Sequence, residues 1–126
     1  MKALVVDDAK VVRVSLGRIM KQLGYEVLEA ADGAQAIEQI EAHPDTTVVM
    51  LDWNMPVMNG YDFLVELRSR PEHGSEPKVI MVTTETGMGQ MLKALAAGAD
   101  EYIMKPFDKD MVISKMEILG LEIKQD

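Results

Sequence analysis

Short apolar runs alternate with longer segments of helical periodicity along this chain. The apolar runs cover residues 2–6, 26–30, 47–51, 78–83 and 101–104. Several of them are continuously apolar, which is typical of strands that helices cover on both faces. The pattern therefore predicts five parallel strands separated by helices.

Between the runs, apolar residues recur three and four positions apart, which is the spacing of an amphipathic helix. They are Val12, Leu16, Ile19 and Leu23, then Ala36, Ile37 and Ile40, then Gly60, Phe63, Leu64 and Leu67, then Leu92 and Leu95, then Val112, Met116 and Leu119. Strands and helices thus alternate, which predicts an α/β fold of the (βα)5 type, a parallel sheet with helices on both faces.

Turn and cap residues support these boundaries. Gly24 and Gly98 can adopt the left-handed conformation that ends a helix, whereas Asp32 and Asp108 can cap the second and fifth helices. The polar stretch 69–77 contains two prolines and a glycine, and it predicts a long loop before the fourth strand.

Composition limits the classes of function. The chain has 126 residues, 48% of them hydrophobic, which suits a single domain over 1–126. Its 13 basic and 21 acidic residues give a net charge of −8, so direct binding to nucleic acid or to an anionic membrane is not expected. Cysteine is absent, as are a signal-like segment and an apolar stretch of the roughly 20 residues that span a bilayer. We expect a cytoplasmic protein whose partners are proteins or small ions.

Acidic residues stand where two of the apolar runs end. Asp7 and Asp8 follow the first run, and Asp52 follows the third. If these strands are neighbours, three carboxylates meet at one edge of the sheet, where a cation must offset their repulsion. Oxygen ligands, with His43 and His73 away from strand ends, favour a hard cation. The sequence therefore predicts a Mg²⁺ site.

The same edge carries a hydroxyl and an ammonium group. Thr83 ends the fourth run and Lys105 follows the fifth. A phosphoryl group fits such a ring, because Mg²⁺ and Lys105 neutralise its oxygens and the Thr83 hydroxyl bonds one of them. Asp52 is then the nucleophile that attacks phosphorus, while Asp7 and Asp8 hold the metal.

Together these residues resemble the motif set of the receiver domains of two-component response regulators. The matching motifs are Asp7-Asp8, Asp52-Trp53-Asn54-Met55-Pro56, Asn59-Gly60, Thr83 and Lys105-Pro106-Phe107. The match covers essentially the whole chain, and residues 52–56 are particularly similar to the stand-alone chemotaxis members. The resemblance implies a flavodoxin-like fold with strand order 2-1-3-4-5, an order that comes from the family.

The resemblance also implies roles for individual residues. Asp52 would accept a phosphoryl group from a phosphohistidine on a sensor kinase or phosphotransfer protein. Asp7, Asp8, Asp52 and the main-chain carbonyl of Asn54 would bind Mg²⁺, with Mn²⁺ as the alternative ion. Lys105 would pair with the phosphoryl oxygens, and the Lys105-Pro106 peptide bond would be cis.

Switching follows from the same resemblance. Thr83 would move toward the phosphoryl group and Tyr102 would swing inward, which changes the surface of the fourth helix, fifth strand and fifth helix for a downstream target. Asn54 and Glu85 occupy the positions that tune the phosphate's lifetime, and this pair predicts fast self-dephosphorylation. The expected protein is a phosphoacceptor that catalyses only its own phosphorylation and dephosphorylation, and is not otherwise an enzyme.

Four alternatives remain open. The chain could be the receiver of a longer regulator with a DNA-binding or enzymatic output domain. A haloacid-dehalogenase-like phosphatase needs an acid two residues beyond its nucleophile, where this chain has Asn54. A flavodoxin-type electron carrier needs a phosphate cradle, which Asp7 and Asp8 would repel. A purely structural pseudo-receiver would lack part of the acid, threonine and lysine set.

Three further expectations concern Trp53, the start of the fourth helix and the segment after the fifth helix. Trp53 is predicted to be an aromatic residue at the rim of the site. Gly87 and Gly89 should each weaken the start of the fourth helix by roughly 1 kcal/mol. Apolar residues after the fifth helix suggest either a frayed helix end or a small dimer contact; they are Ile118, Leu119, Leu121 and Ile123, around Gly120.

Overall fold

The fold is a five-stranded parallel sheet between two layers of helices. The computed structural model describes residues 1–70, 77–84 and 87–124. The strands are β1 (Lys2–Val6), β2 (Glu26–Ala30), β3 (Thr46–Leu51), β4 (Lys78–Thr83) and β5 (Glu101–Met104). Their order is β2-β1-β3-β4-β5, which confirms the expected topology. Only β3 differs from the prediction, since it begins at residue 46 and not at 47.

Each strand except the last is followed by a helix that returns the chain to the start of the next strand, and a final helix follows β5. The helices are α1 (Lys10–Gln22), α2 (Gly33–Ala42), α3 (Gly60–Ser69), α4 (Met88–Ala96) and α5 (Lys109–Ile118). The predicted loop 69–77 therefore starts at the end of α3, and its residues 71–76 lie outside the described part. Within the described ranges, no helix combines the length and apolar character needed to cross a bilayer.

The core is divided by the sheet into two clusters, because successive side chains of a strand point to opposite faces. Leu4 and Val6 of β1 pack with residues of α2, α3 and α4. Ala3 and Val5 of the same strand pack with residues of α1 and α5. Both faces of β1 are completely covered, which explains its continuously apolar sequence.

Predicted caps and turns are found where the sequence placed them. Asp32 and Asp108 each accept a hydrogen bond from the backbone N–H three residues on, and so does Asn59, which the sequence analysis had not assigned as a cap. Gly24 and Gly98 have φ angles of +96° and +115°, which side chains disfavour. The caps fix the starts of helices at the carboxyl edge of the sheet, whereas the two glycines turn the chain at the opposite edge.

Strand register brings the acidic loops together. Val6 of β1 pairs with Leu51 of β3, so the residues that follow both strands emerge side by side. The backbone N–H of Asp52 donates to the carbonyl of Val6 at 3.0 Å, which extends the pairing by one residue. Asp7 and Asp52 consequently leave the sheet at the same level.

The segment after α5 folds back on the molecule. Gly120 has a φ of +72°, which ends the helix and turns the chain. Leu121 and Ile123 then pack against the core cluster beneath α1 and α5, and the backbone N–H of Lys124 donates to the carbonyl of Leu23 at 2.8 Å. The segment is thus held against its own domain, and it is not a frayed helix end.

Candidate functional site

Three carboxylates converge at the carboxyl edge of the sheet. One oxygen from each of Asp7, Asp8 and Asp52 lies within 4.8 Å of the others. Asp7 and Asp52 are 1% and 7% exposed, whereas Asp8 faces solvent. A partly buried set of carboxylate oxygens with an opening to water fits a hard divalent cation that keeps several waters. The residues that the sequence assigned to a metal are therefore brought together.

Asp7 is held by hydrogen bonds on both carboxylate oxygens. Its Oδ1 accepts from the backbone N–H of Ala9 at 2.9 Å, and its Oδ2 accepts from Lys105 Nζ at 2.8 Å. The Arg13 guanidinium donates to its main-chain carbonyl at 2.7 Å. Sequence reasoning missed Arg13, although a cation in the first turns of the helix that follows two acids was a usable signal.

Lys105 links two of the acids. Its Nζ lies 2.8 Å from Asp7 Oδ2 and 3.6 Å from Asp52 Oδ1. The ammonium reaches this position because the backbone N–H of Lys105 donates to the carbonyl of Thr83, which continues the pairing of β5 with β4. The Lys105-Pro106 peptide bond that follows is cis, as the resemblance implied.

Opposing effects act on the pKa of Asp52. Its pKa is raised, first by burial and then by the negative charge of Asp7. The Lys105 charge and a hydrogen bond with the Thr83 side chain act in the opposite direction without cancelling the rise. Additional positive charge beside Asp52 would therefore favour the ionised form that a nucleophile requires.

The other residues singled out in the sequence lie in different parts of the chain. Asn54 is exposed in the loop two positions after Asp52. Tyr102 is 6% exposed and belongs to the core cluster shared with α3 and α4, so its ring is already inside. Glu85 lies outside the described residues. His43 stands at the end of α2 and contacts Lys2, at the opposite end of β1 from Asp7.

The prediction for Trp53 is wrong in one respect, because the side chain is 7% exposed and does not lie on the rim. Its ring stacks on Tyr61 of α3, with centroids 5.5 Å apart and an interplanar angle of 23°. Lys93 of α4 places its Nζ 4.3 Å from the centre of the Tyr61 ring. The sequence could not show this stack, because it depends on how closely α3 approaches the loop that follows Asp52.

Gly60 permits that approach. Its backbone N–H donates to the carbonyl of Trp53 at 2.8 Å, and a Cβ at this position would overlap the main-chain carbonyl of Asp52. Only glycine fits between the loop of Asp52 and the first turn of α3. The glycine therefore sets the position of the loop that carries the Asp52 carboxylate.

Comparison with known proteins now decides the family. A family model of the response regulator receiver domain matches residues 3–117. The chain belongs to this family. The assignment sets aside the dehalogenase-like phosphatase and the electron carrier.

Relatives of this receiver domain include chemotaxis proteins of similar length. Chemotaxis protein CheY1 of Helicobacter pylori is 43% identical over 120 residues, which cover 94% of this chain and 96% of that protein. A CheY homolog of Campylobacter jejuni is 39% identical over 122 residues, covering 95% and 93%. This receiver domain is therefore of the CheY-like chemotaxis type.

Solved structures agree with the fold. Chemotaxis protein CheY4 of Vibrio cholerae has a TM-score of 0.85 and 31% identity, covering 93% of this chain and 96% of that chain. A chain of the CheX-CheY-BeF3-Mg+2 complex from Borrelia burgdorferi has a TM-score of 0.88 and 27% identity, covering 97% and 90%. Receiver domains are phosphoacceptor signalling proteins that bind Mg²⁺ at an acidic pocket, and the three aspartates form such a pocket here.

Proposed function

We propose that this receiver domain accepts a phosphoryl group on Asp52 from the phosphohistidine of a sensor kinase or phosphotransfer protein, in a reaction that depends on Mg²⁺. The observation that carries the proposal is the convergence of three carboxylates within 4.8 Å, with Lys105 Nζ 3.6 Å from Asp52 Oδ1. This arrangement supplies a nucleophile, ligands for a metal and a fixed positive charge within one pocket.

In the transfer step, a carboxylate oxygen of Asp52 forms a bond to phosphorus while the bond between phosphorus and the donor's imidazole nitrogen breaks. The electron pair of the broken bond stays on that nitrogen and, with a proton on the other ring nitrogen, a neutral histidine leaves. The product on Asp52 is an acyl phosphate. Lys105 offsets the charge of the phosphoryl oxygens, and the Thr83 hydroxyl donates a hydrogen bond to one of them.

The metal ligands in this proposal are Asp7, Asp8, Asp52 and the main-chain carbonyl of Asn54. Mg²⁺, or Mn²⁺ in its place, supplies when bound the positive charge that lowers repulsion between the acids and an incoming phosphoryl group. Asp7 contributes a second function, because its 2.8 Å contact with Lys105 keeps the ammonium beside Asp52.

Phosphorylation would be read on the surface of α4, β5 and α5. The new charge on Asp52 draws the Thr83 hydroxyl toward it, and Tyr102 holds its inward position behind that residue. Exposed apolar side chains on this surface suit a downstream protein partner; Leu92, Met104 and Met111 are 59%, 42% and 37% exposed. Asn54 and Glu85 tune hydrolysis of the acyl phosphate, which we expect to be fast.

The domain is proposed to act as one unit over residues 1–126 in the cytoplasm, where sensor kinases present their phosphohistidines. The Helicobacter pylori chemotaxis protein is matched over 96% of its own length, and this similarity favours the same stand-alone signalling for the present domain. The alternative is a receiver that controls an attached DNA-binding or enzymatic domain. In either case the receiver itself is proposed to catalyse only its own phosphorylation and dephosphorylation.

Intact-protein mass spectrometry tests the proposal. After incubation with acetyl phosphate and MgCl₂, the wild type should gain the mass of one phosphoryl group, and neither a sample with EDTA nor the Asp52→Asn variant should gain it. Asp8→Asn should need far more Mg²⁺. Asp45→Asn makes the same chemical change at an exposed acid that pairs with Lys2, and should behave as wild type.

Fluorescence provides a second measurement. Trp53 is the only tryptophan and adjoins Asp52, so its emission should respond to Mg²⁺ and then to acetyl phosphate. A wild type that gains no phosphoryl group and shows neither response would support a structural pseudo-receiver. An acyl phosphate that persists for hours in Mg²⁺ would contradict the assignment of Asn54 and Glu85.

A further inference from the structure

Helix α1 has a charge opposite to that of the molecule. It carries Lys10, Arg13, Arg18 and Lys21 and no acid, although the chain has 21 acidic residues and a net charge of −8. A positive helix on a negative protein creates a local potential that attracts acidic groups. Of these four cations, only Arg13 contacts a residue of the proposed phosphorylation site, the main-chain carbonyl of Asp7.

A groove runs between α1 and the edge strand β2. It has a volume of about 340 Å³, and the charged groups that line it are Arg13, Arg18, Lys21 and Glu29. Arg13 is already engaged, since it donates to the Asp7 carbonyl and pairs with Glu29 at 3.1 Å. The charge left over in the groove is therefore that of Arg18 and Lys21.

Arg18 and Lys21 have no side-chain partner within the part of the chain that the structure describes. Among the described residues, neither Arg18 nor Lys21 makes a side-chain hydrogen bond or an ion pair, and both side chains are exposed. Arg13, the other cation that lines the groove on α1, is held by one ion pair and one hydrogen bond to a main-chain carbonyl. A carboxylate from outside the molecule can reach both.

The floor of the groove is apolar and open. Val14 and Val27 line it, and Val14 is 44% exposed. Gly17 lies between them, and a Cβ on this glycine would stand 3.4 Å from Val27 Cγ1. The missing side chain thus leaves room for one apolar side chain of a ligand beside the two cations.

We propose that the groove between α1 and β2 binds a short acidic segment of a partner protein. An apolar side chain of the segment would lie over Val14, Gly17 and Val27, and flanking carboxylates would pair with Arg18 and Lys21. From Arg13 to Lys21 the helix rises about 12 Å, which about four residues of extended chain would cover. Nucleic acid and anionic lipid fit less well, because they would extend beyond the groove over the negatively charged remainder of the molecule, whereas a short segment would not.

This inference does not rest on the proposed phosphoryl transfer. Binding in the groove requires only the resting charges of α1, so the Asp52→Asn variant should bind as the wild type does. A failure at the groove and a failure at Asp52 are therefore seen in separate measurements.

An NMR titration tests the groove with a defined probe, the peptide acetyl-Glu-Glu-Leu-Glu-Glu-amide. With the ¹⁵N-labelled full chain, saturable shifts should be confined to amides of α1 and β2, with a Kd on the order of 1 mM. Arg18→Glu should weaken binding about tenfold or more, in line with loss of a charge pair of about 1.4 kcal/mol. A peptide with glutamine in place of every glutamate should bind correspondingly weakly.

Two further variants separate groove binding from net charge and from misfolding. Lys109→Glu makes the same change of charge on α5 and should leave the affinity unchanged. Gly17→Ala fills the floor while improving helix propensity, so it should stay folded in thermal melts and weaken the peptide severalfold.

Four binding results and one result on oligomeric state would overturn the proposal. The binding results are an absence of saturable shifts at millimolar peptide, shifts centred on α4, β5 and α5, equal weakening by Lys109→Glu, and preferred binding of a short DNA duplex or of phosphatidylserine vesicles. A dimer in sedimentation that Arg18→Glu dissociates would also overturn it, because the occupant would then be a second copy of this chain.

Discussion

The groups around Asp52 shift its pKa in opposite directions. Burial and the neighbouring Asp7 charge raise its pKa, whereas Lys105 and the Thr83 hydroxyl lower it. The raised pKa shows that the folded protein without a metal holds the ionised form of Asp52 less favourably than the unfolded chain does. The position of the Asp52 carboxylate therefore has a cost in stability.

Replacing that carboxylate with its neutral isostere should expose this cost. Because the folded-state pKa of Asp52 lies above its unfolded value of 3.8, the ionised group opposes folding at every pH above the folded-state pKa. In metal-free buffer at neutral pH, Asp52→Asn should therefore have a higher Tm than the wild type, with each 1 kcal/mol equal to about 4 °C.

The pH dependence supplies the check. The difference in Tm should shrink as the pH falls through the folded-state pKa, and it should vanish below the unfolded value, where both states of the wild type are protonated. Added Mg²⁺ should stabilise the wild type and not the variant. Scanning calorimetry from neutral to acidic pH measures both effects, and a variant that is less stable at every pH would refute the argument.

At the scale of elements, α3 and α4 differ in how firmly they are held. α3 starts at Gly60, is capped by Asn59 and buries Phe63, Leu64 and Leu67. α4 starts after Gly87 without a side-chain cap, and Ala94 is its only buried residue among those described. The weak start of α4 expected from its glycines is consistent with this packing, and it suits the switching role that we propose for the surface that includes α4.

Glycines at the starts of these two helices should respond oppositely to the same substitution. Gly60→Ala should lower the free energy of unfolding by about 2 kcal/mol, because the new methyl group forces the loop of Asp52 away from α3. Gly89→Ala meets no atom within 4 Å and should raise it by up to about 1 kcal/mol. Urea denaturation compares the two, and equal effects would refute the steric explanation.

At the scale of the whole molecule, the segment after α5 packs against the turn that joins α1 to β2. The Tyr25 hydroxyl donates to the carbonyl of Glu122 at 2.8 Å. Burial and the Glu122 charge both raise the pKa of Tyr25, so the hydroxyl keeps its proton and remains a donor. Ile123 packs on the core from this segment, and residues far apart in the chain thus support one another.

Truncation of Ile123 tests whether the packing of this segment contributes to stability. Ile123→Ala should lower the free energy of unfolding by roughly 1 kcal/mol, since part of a packed side chain is lost. Ile118→Ala makes the same change at a side chain that is 65% exposed, and should stay within about 0.5 kcal/mol of wild type. If both variants behave alike, the segment does not stabilise the domain.

Sequence reasoning succeeded where physical rules act locally. The strand at 2–6 is apolar throughout because it is buried on both faces, and the caps at Asp32 and Asp108 follow from side-chain chemistry within one helical turn. The acidic site was predictable because parallel strands end at a common edge. Trp53 was misplaced, because its burial depends on a ring from α3 that no local rule specifies.

The amino-acid order by itself determined which segments form strands and helices, and which charged side chains stand at strand ends. These properties follow from periodicity and from residue types that are neighbours in the chain. Only the tertiary structure decided that Arg13 donates to the Asp7 carbonyl and that Gly60 lets α3 approach the loop of Asp52 closely. It also decided that Arg18 and Lys21 border an apolar groove. Such contacts join residues from different elements, and their distances depend on how the whole sheet and its two helical layers pack.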